Sequence, residues 1–235
     1  MKRFFKQAGC RRTEAGWAVE LDGRPVRTPG RRALCLPRQA LAEALCAEWN
    51  AQGEKIDMRA MPLNRIANAA IDLVPDRRDE VIDQIVRYGA TDLLCYRTAE
   101  QPELAARQQA TWQPVLDWLM RQHDAPLAVT DAVTPVGQPE ASLAAIRAAL
   151  RPRDDFALAA ISNLTAVLGS VALALAVVDR AVTSDAAWAA SILDETHQAR
   201  LWGEDAEAAG ARAARRADFD VAVRMLALLA AADDD

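Results

Sequence analysis

The chain has 235 residues, of which 51% are hydrophobic, so it can bury a sizeable core without disulfides or bound metal. The formal net charge of −5 argues against nucleic acid as the main partner, because nucleic-acid-binding domains are usually basic. Four cysteines lie far apart with no CxxC pair, so we expect reduced thiols in a cytosolic setting.

Residues 3–36 predict a small β region. Apolar and polar residues partly alternate in Trp17–Leu21, as they do in a half-buried strand. Asp22-Gly23 follows and is a hairpin signal, because glycine tolerates the positive φ angles of such turns. Arg24–Thr28 is the expected return strand, and a further turn leads into a strand at Arg32–Leu36.

Amphipathic helices are expected between these strands and Gly89. The first would cover residues 37–52, and the second would begin at Met61–Asn64 and end at Pro75. The third would begin after Asp76, with Gly89 as its C-cap. The buried stripes of the first two helices would be Leu41, Leu45 and Trp49, and Ile66, Ala70 and Leu73.

The middle of the chain combines helical segments with ambiguous ones. Residues 91–97 fit either a strand or a helix, and residues 127–129 could form a short strand. Residues 101–122 predict a helix in which Pro114 removes one hydrogen bond and causes a kink or a restart. Another helix is expected from residue 139 to residue 150.

The uncharged run 156–178 could form either a membrane span or the buried core of a water-soluble protein. It is long enough to cross a bilayer, which takes about 20 apolar residues. The run is rich in alanine and contains Asn163, and its flanks give no clear positive-inside signal. We therefore interpret it as the buried centre of a helical body, with one kinked helix or two short helices broken near Gly169-Ser170.

The C-terminal part predicts two further helices. Ser184 would cap the first, which would reach Trp202 and place Glu195 on an apolar stripe between two tryptophans. Because an unpaired buried carboxylate is costly, Glu195 would either bond to another helix or a tryptophan N–H, or lie at a surface groove that awaits a basic partner. Asp205 is expected to cap the final helix, which would reach about Leu229.

Taken together, these elements predict an α+β protein. A small β-containing domain would cover residues 1–58, and a mainly α-helical domain would cover residues 59–235.

Motifs of catalysis are missing from the sequence. It contains neither GxSxG nor a phosphate-binding loop, and His123 and His197 have no metal-ligand partner at helical spacing. We therefore expect a protein that is not an enzyme and that uses no metal or cofactor. Two alternatives stay open: a small-molecule enzyme with a cleft between the two domains, and a peripheral membrane protein that docks through residues 156–178.

A set of short motifs, spread along most of the chain, resembles one protein family. The motifs are Leu21–Pro25, Thr28-Pro29, Glu48-Trp49, Gln52, Met61–Leu63, Ala70–Asp72, Thr91–Leu93, Cys95–Arg97, Gln108, Trp112, Pro114, Trp118, Gly169-Ser170, Asp194-Glu195, Gln198, Trp202-Gly203 and Asp205. In this order they are similar to the chaperones that attend the alpha subunit during assembly of the soluble catalytic sector of F-type ATP synthase. Two positions depart from the family pattern, since Asn64 and Ala69 stand where threonine is expected.

The resemblance implies a function and a set of contact residues. Such a protein would hold the alpha subunit until the beta subunit replaces it, and we expect it to act as a monomer without nucleic acid or stable membrane insertion. The chain is similar to bacterial members, which implies the cytoplasm, whereas eukaryotic relatives act in the mitochondrial matrix. The implied partner-binding residues are Glu195, Gln198, Trp202 and Asp205.

Overall fold

The computed structural model of the protein describes residues 1–132, 134 and 136–231. These residues form two compact units. The first contains Met1–Arg78, Asp154–Ala160 and the chain from Val221 on, and the second contains Asp79–Arg153 and Ile161–Asp220. The domain boundary that the sequence indicates at residue 58 stays a prediction.

The predicted α+β class is confirmed, because a small antiparallel sheet is followed by a series of helices. The strands are β1 (Ala8–Thr13), β2 (Gly16–Leu21), β3 (Arg24–Pro25) and β4 (Cys35–Leu36). Strand β2 is central, since it pairs with each of the other three. The helices of the described residues are α1 (Gln39–Asn50), α2 (Pro62–Asp72), α3 (Arg78–Ala90), α4 (Pro102–His123), α5 (Glu140–Leu150), α6 (Asp155–Leu168), α7 (Val171–Val178), α8 (Ser184–Ser191), α9 (Leu193–Trp202) and α10 (Ala206–Ala230).

The predicted hairpin at Asp22-Gly23 is confirmed, and both residues adopt positive φ angles, of 49° and 78°. The return strand is shorter than expected. It covers two residues and is followed by an isolated bridge between Arg27 and Ala33. The sequence pattern also missed β1, whose residues Arg11 and Arg12 are both exposed and hide its pairing with β2.

Helix α1 packs in the first unit as its pattern predicted, with Leu41, Leu45 and Trp49 buried. The Trp49 indole N–H donates to the Asn64 side-chain oxygen of α2 at 2.9 Å. The Glu48 carboxylate accepts hydrogen bonds from the first backbone N–H groups of α2, which would otherwise have no partner. Leu73 was expected to be buried but is 42% exposed, because it lies at the C-cap, beyond the last turn of α2.

The uncharged run forms two helices, α6 and α7, as predicted. Gly169 has a φ of 65° and ends α6, and the Ser170 hydroxyl caps α7 by accepting from the Leu173 N–H at 3.0 Å. Residues 171–176 are completely or almost completely buried, which confirms that they belong to the core. Among the described residues, no helix combines the length and the apolar character that a membrane span requires.

Two further expectations for the second unit are corrected by the structure. Gly89 does not end α3. It lies inside the helix, where an added Cβ would come within 3.1 Å of Ile146 and 3.2 Å of Leu143. The ambiguous residues 91–97 form a short 3₁₀ turn, after which Tyr96 makes a single parallel bridge with Thr130. Residues 127–129 form no strand.

Candidate functional site

The implied contact residues lie where α9 meets α10, a region that we call the α9–α10 corner (residues 193–216). The single helix predicted from Ser184 to Trp202 is wrong, because the chain forms α8 and α9 with a break at Ile192. Thr183, rather than Ser184, caps α8 through its hydroxyl. The break disrupts the predicted stripe, so Trp188 is buried whereas Trp202 is 82% exposed.

Glu195 has a basic partner within the chain. Arg215 of α10 contacts both of its carboxylate oxygens, at 2.6 and 2.8 Å. Both side chains are 43% exposed, so Glu195 does not lie among apolar groups between two indoles, as the helical stripe predicted. Of the two interpretations of this carboxylate, the structure shows the one in which it bonds to another helix.

Trp202 is the most exposed large hydrophobic side chain among the described residues, and its neighbour Leu201 is 52% exposed. The indole N–H donates to the side-chain oxygen of Gln198, one turn earlier, at 3.1 Å. This hydrogen bond orients the indole at the end of α9. An apolar ring that is fixed but largely exposed loses little side-chain freedom when another surface covers it.

Asp205 caps α10, as expected. Its carboxylate accepts a hydrogen bond from the Ala208 N–H at 2.9 Å, which stabilises the start of the helix by about 1 kcal/mol. Gly203, with a φ of 89°, allows the chain to change direction between α9 and α10. The role of Asp205 seen in the structure is therefore to position the start of α10 beside Trp202.

The first turns of α10 form a surface that the sequence analysis missed. Residues 201–208 are all exposed, and the helix that follows carries mainly alanine and glycine. The small residues of this segment are Ala206, Ala208, Ala209, Gly210, Ala211, Ala213 and Ala214. Because small side chains let another backbone approach closely, a helix of this composition beside an exposed tryptophan is suited to helix packing by a partner. The sequence feature that could have indicated this surface is the lack of large apolar residues at positions 206–214.

Several charged groups of α9 and α10 form ion pairs within the described part of the chain. Besides the pair at Glu195, ion pairs join Arg200 to Glu103, Arg212 to Glu204 and Arg216 to Asp185. Each exposed pair of this kind contributes about 0–1 kcal/mol, so a partner can exchange these contacts at small cost. The corner therefore presents an apolar centre with a rim of exchangeable charges, which is the usual anatomy of a protein interface.

Several of the family-like motif residues make hydrogen bonds within one unit or the other. In the second unit, the Gln108 side chain accepts from the Thr98 N–H and donates to Asp194, which fixes the start of α9. In the first unit, Asp72 accepts from the Thr28 hydroxyl at 2.6 Å and from the Gly30 N–H at 2.7 Å. These hydrogen bonds support the fold of each unit.

No group of three or more His, Cys, Asp or Glu side chains that could hold a metal ion occurs in residues 1–132, 134 and 136–231. The two histidines lie near other side chains of the described residues, and the ring of His123 packs edge-on against that of Trp118. His123 contacts the Asp179 carboxylate at 2.9 Å, and His197 is buried with its ring nitrogen 3.4 Å from Arg107.

An exposed aromatic side chain beside a helix of small residues is a surface that suits contact with another protein. Comparison with known proteins identifies the family of this chain. The family model of the ATP12 chaperone protein matches residues 2–120. The chain therefore belongs to the ATP12 chaperone family, which serves ATP synthase assembly.

Solved structures and a curated relative agree with this assignment. The crystal structure of Atp12 from Paracoccus denitrificans is 41% identical, with a TM-score of 0.91 and 97% of each chain covered. A variant of the same protein, in which lysine replaces an aspartate, superimposes with the same values. The mitochondrial protein atp12 of Schizosaccharomyces pombe is 22% identical over 219 residues, which are 87% of this chain and 75% of the yeast chain.

Proposed function

We propose that this protein binds the alpha subunit of the F-type ATP synthase catalytic sector and shields its interface until the beta subunit replaces it. Membership of the ATP12 chaperone family supports a role in ATP synthase assembly. The protein would act in the bacterial cytoplasm, as a monomer and by binding alone, without catalysing a reaction or using a cofactor.

The observation that carries this proposal is the α9–α10 corner. An isolated subunit of an obligate complex exposes a large, apolar interface, and a chaperone needs a complementary apolar surface to cover it. Trp202 and Leu201 provide that surface, and the alanine-rich start of α10 extends it. Around this centre, Glu195 would contribute charge at the rim. Gln198 would orient the indole, and Asp205 would position the start of α10.

Release would follow from competition. The sequence contains no phosphate-binding loop that would couple release to nucleotide hydrolysis within this chain. The beta subunit must therefore bind the same face of the alpha subunit more tightly than the chaperone does, so that it displaces the chaperone by mass action.

The test is a binding assay with purified subunits. The chain should co-elute with the alpha subunit in stoichiometric yield on size exclusion, and added beta subunit should return the chain to its free position. The beta subunit alone serves as the control and should not shift the chain. A stable complex with beta instead of alpha, or independent elution of all three proteins, would overturn the proposal.

A further inference from the structure

The first residues of the chain form a short two-stranded ribbon with residues 54–56. The Arg3 N–H donates to the Glu54 carbonyl and the Ile56 N–H donates to the Met1 carbonyl, both at 2.8 Å. Lys2 and Lys55 lie directly opposite each other between these two bonds, as an antiparallel bridge. This is the non-hydrogen-bonded type of pair, in which the side chains of opposite residues approach most closely.

Two exposed lysines thus face each other, an arrangement that destabilises a ribbon because like charges repel across it. Only three lysines occur in the whole chain, and the third, Lys6, follows nearby in sequence. Met1, Lys2, Glu54 and Lys55 line a half-open groove of about 460 Å³. An anionic group between the two lysines would convert this repulsion into attraction.

The outer edge of the ribbon is also available for pairing. In a non-hydrogen-bonded pair, the backbone N–H and C=O of each residue point away from the partner strand. The backbone N–H and C=O groups of Lys2 and Phe4 have no hydrogen-bond partner within the described part of the chain. Phe4 is 64% exposed, whereas the neighbouring Phe5 is buried against Trp49. Lys2 and Phe4 therefore offer a positive charge, an apolar ring and free backbone groups along one edge.

We propose that this ribbon binds an extended acidic segment of a partner polypeptide. Carboxylates of the segment would lie against Lys2 and Lys55, an apolar side chain would cover Phe4, and the backbone would pair with the free edge, as in other cases of strand addition. The free backbone groups favour a polypeptide over an anionic membrane surface, since lipid cannot complete a strand ladder. The site belongs to the first unit and the α9–α10 corner belongs to the second, and the site does not depend on the function proposed for that corner.

The test uses a short peptide that alternates glutamate with valine, and a matched peptide with lysine in place of glutamate. The glutamate peptide should bind the full chain in a salt-sensitive way and slow hydrogen exchange at the Lys2 and Phe4 amides, whereas the lysine peptide should not bind. Lys55→Glu should weaken binding about tenfold, because attraction becomes repulsion. The same substitution should raise the melting temperature by roughly 1–3 °C, because Glu would face Lys2.

Arg121→Glu is the control, since it makes the same change in net charge at an exposed residue of α4. It should leave peptide affinity unchanged. An equal loss of affinity in this variant would overturn the proposal, because bulk charge would then explain the binding. Lysine-dependent binding to vesicles containing phosphatidylglycerol, without binding of the glutamate peptide, would also overturn it and would assign the ribbon to a membrane surface.

Discussion

Arg215 contacts both carboxylate oxygens of Glu195, so this acidic residue at the rim of the candidate site already has a basic partner. The two residues belong to α10 and α9 respectively. A partner protein that uses Glu195 must therefore replace Arg215 or bind the pair as a unit. Because the pair is exposed to solvent, its exchange costs little free energy.

Charge reversal at this pair gives the first prediction. Glu195→Lys should remain folded, because an exposed ion pair contributes less than about 1 kcal/mol to stability. Binding of the alpha subunit should weaken strongly, because lysine would repel Arg215 and any basic group of the partner. Circular dichroism would report the fold, and titration with labelled alpha subunit would report the affinity. Loss of the folded signal would instead identify Glu195 as a structural carboxylate.

Asp92 predicts an unusual dependence of stability on pH. It is completely buried and accepts hydrogen bonds from the Leu94 and Ala172 N–H groups. Burial raises its pKa to about 6, against the opposing effect of these hydrogen bonds. The folded protein thus keeps a proton that the unfolded chain releases near pH 4. Raising the pH from about 4 to about 6 therefore lowers the free energy of unfolding, and Asp92 contributes about 3 kcal/mol to this decrease.

Asp92→Asn isolates this contribution, because asparagine does not titrate. The free energy of unfolding of the native protein, minus that of the variant, should fall as the pH rises from about 4 to about 6 and then stay constant. Urea unfolding at a series of pH values measures this difference. A difference that rises with pH below about 4 and stays flat from about 4 to about 6 would mean that the hydrogen bonds outweigh burial and lower the pKa of Asp92.

Two glycines of the sheet should respond differently to alanine. At Gly16, φ is 126° and an added Cβ would lie 2.4 Å from the Leu36 carbonyl oxygen, so Gly16→Ala should cost more than about 3 kcal/mol. At Gly23, φ is 78° and the space is open, so Gly23→Ala should cost about 1 kcal/mol. Equal losses of unfolding free energy in urea would contradict this account of the β2–β4 contact.

Local signals predicted much of the fold. The Asp22-Gly23 hairpin and the break at Gly169-Ser170 depend on backbone preferences of one or two residues, which a sequence displays directly. The core position of residues 171–176 followed from composition, because a helix that is apolar on all sides must be buried.

The candidate site was predicted less completely, because its geometry depends on contacts between distant residues. The pairing of Glu195 with Arg215 joins two helices across 20 positions. The break at Ile192 contains no glycine or proline that would have indicated it in the sequence, and it removes Trp202 from the stripe that a single helix would have formed. Gly89 resembled a cap in sequence, whereas its small size is needed for packing against α5.

The affinity of the purified alpha subunit for the Trp202→Ala variant shows whether the α9–α10 corner binds this subunit. Truncation should weaken binding roughly 30-fold or more, as expected for a tryptophan at the centre of an interface, and should leave the melting temperature unchanged because the indole is exposed. Met120→Ala, which removes a 44% exposed side chain from α4, is the matched control and should bind normally. Equal affinity of the native protein and Trp202→Ala for the alpha subunit would contradict the assignment of the α9–α10 corner as the binding surface.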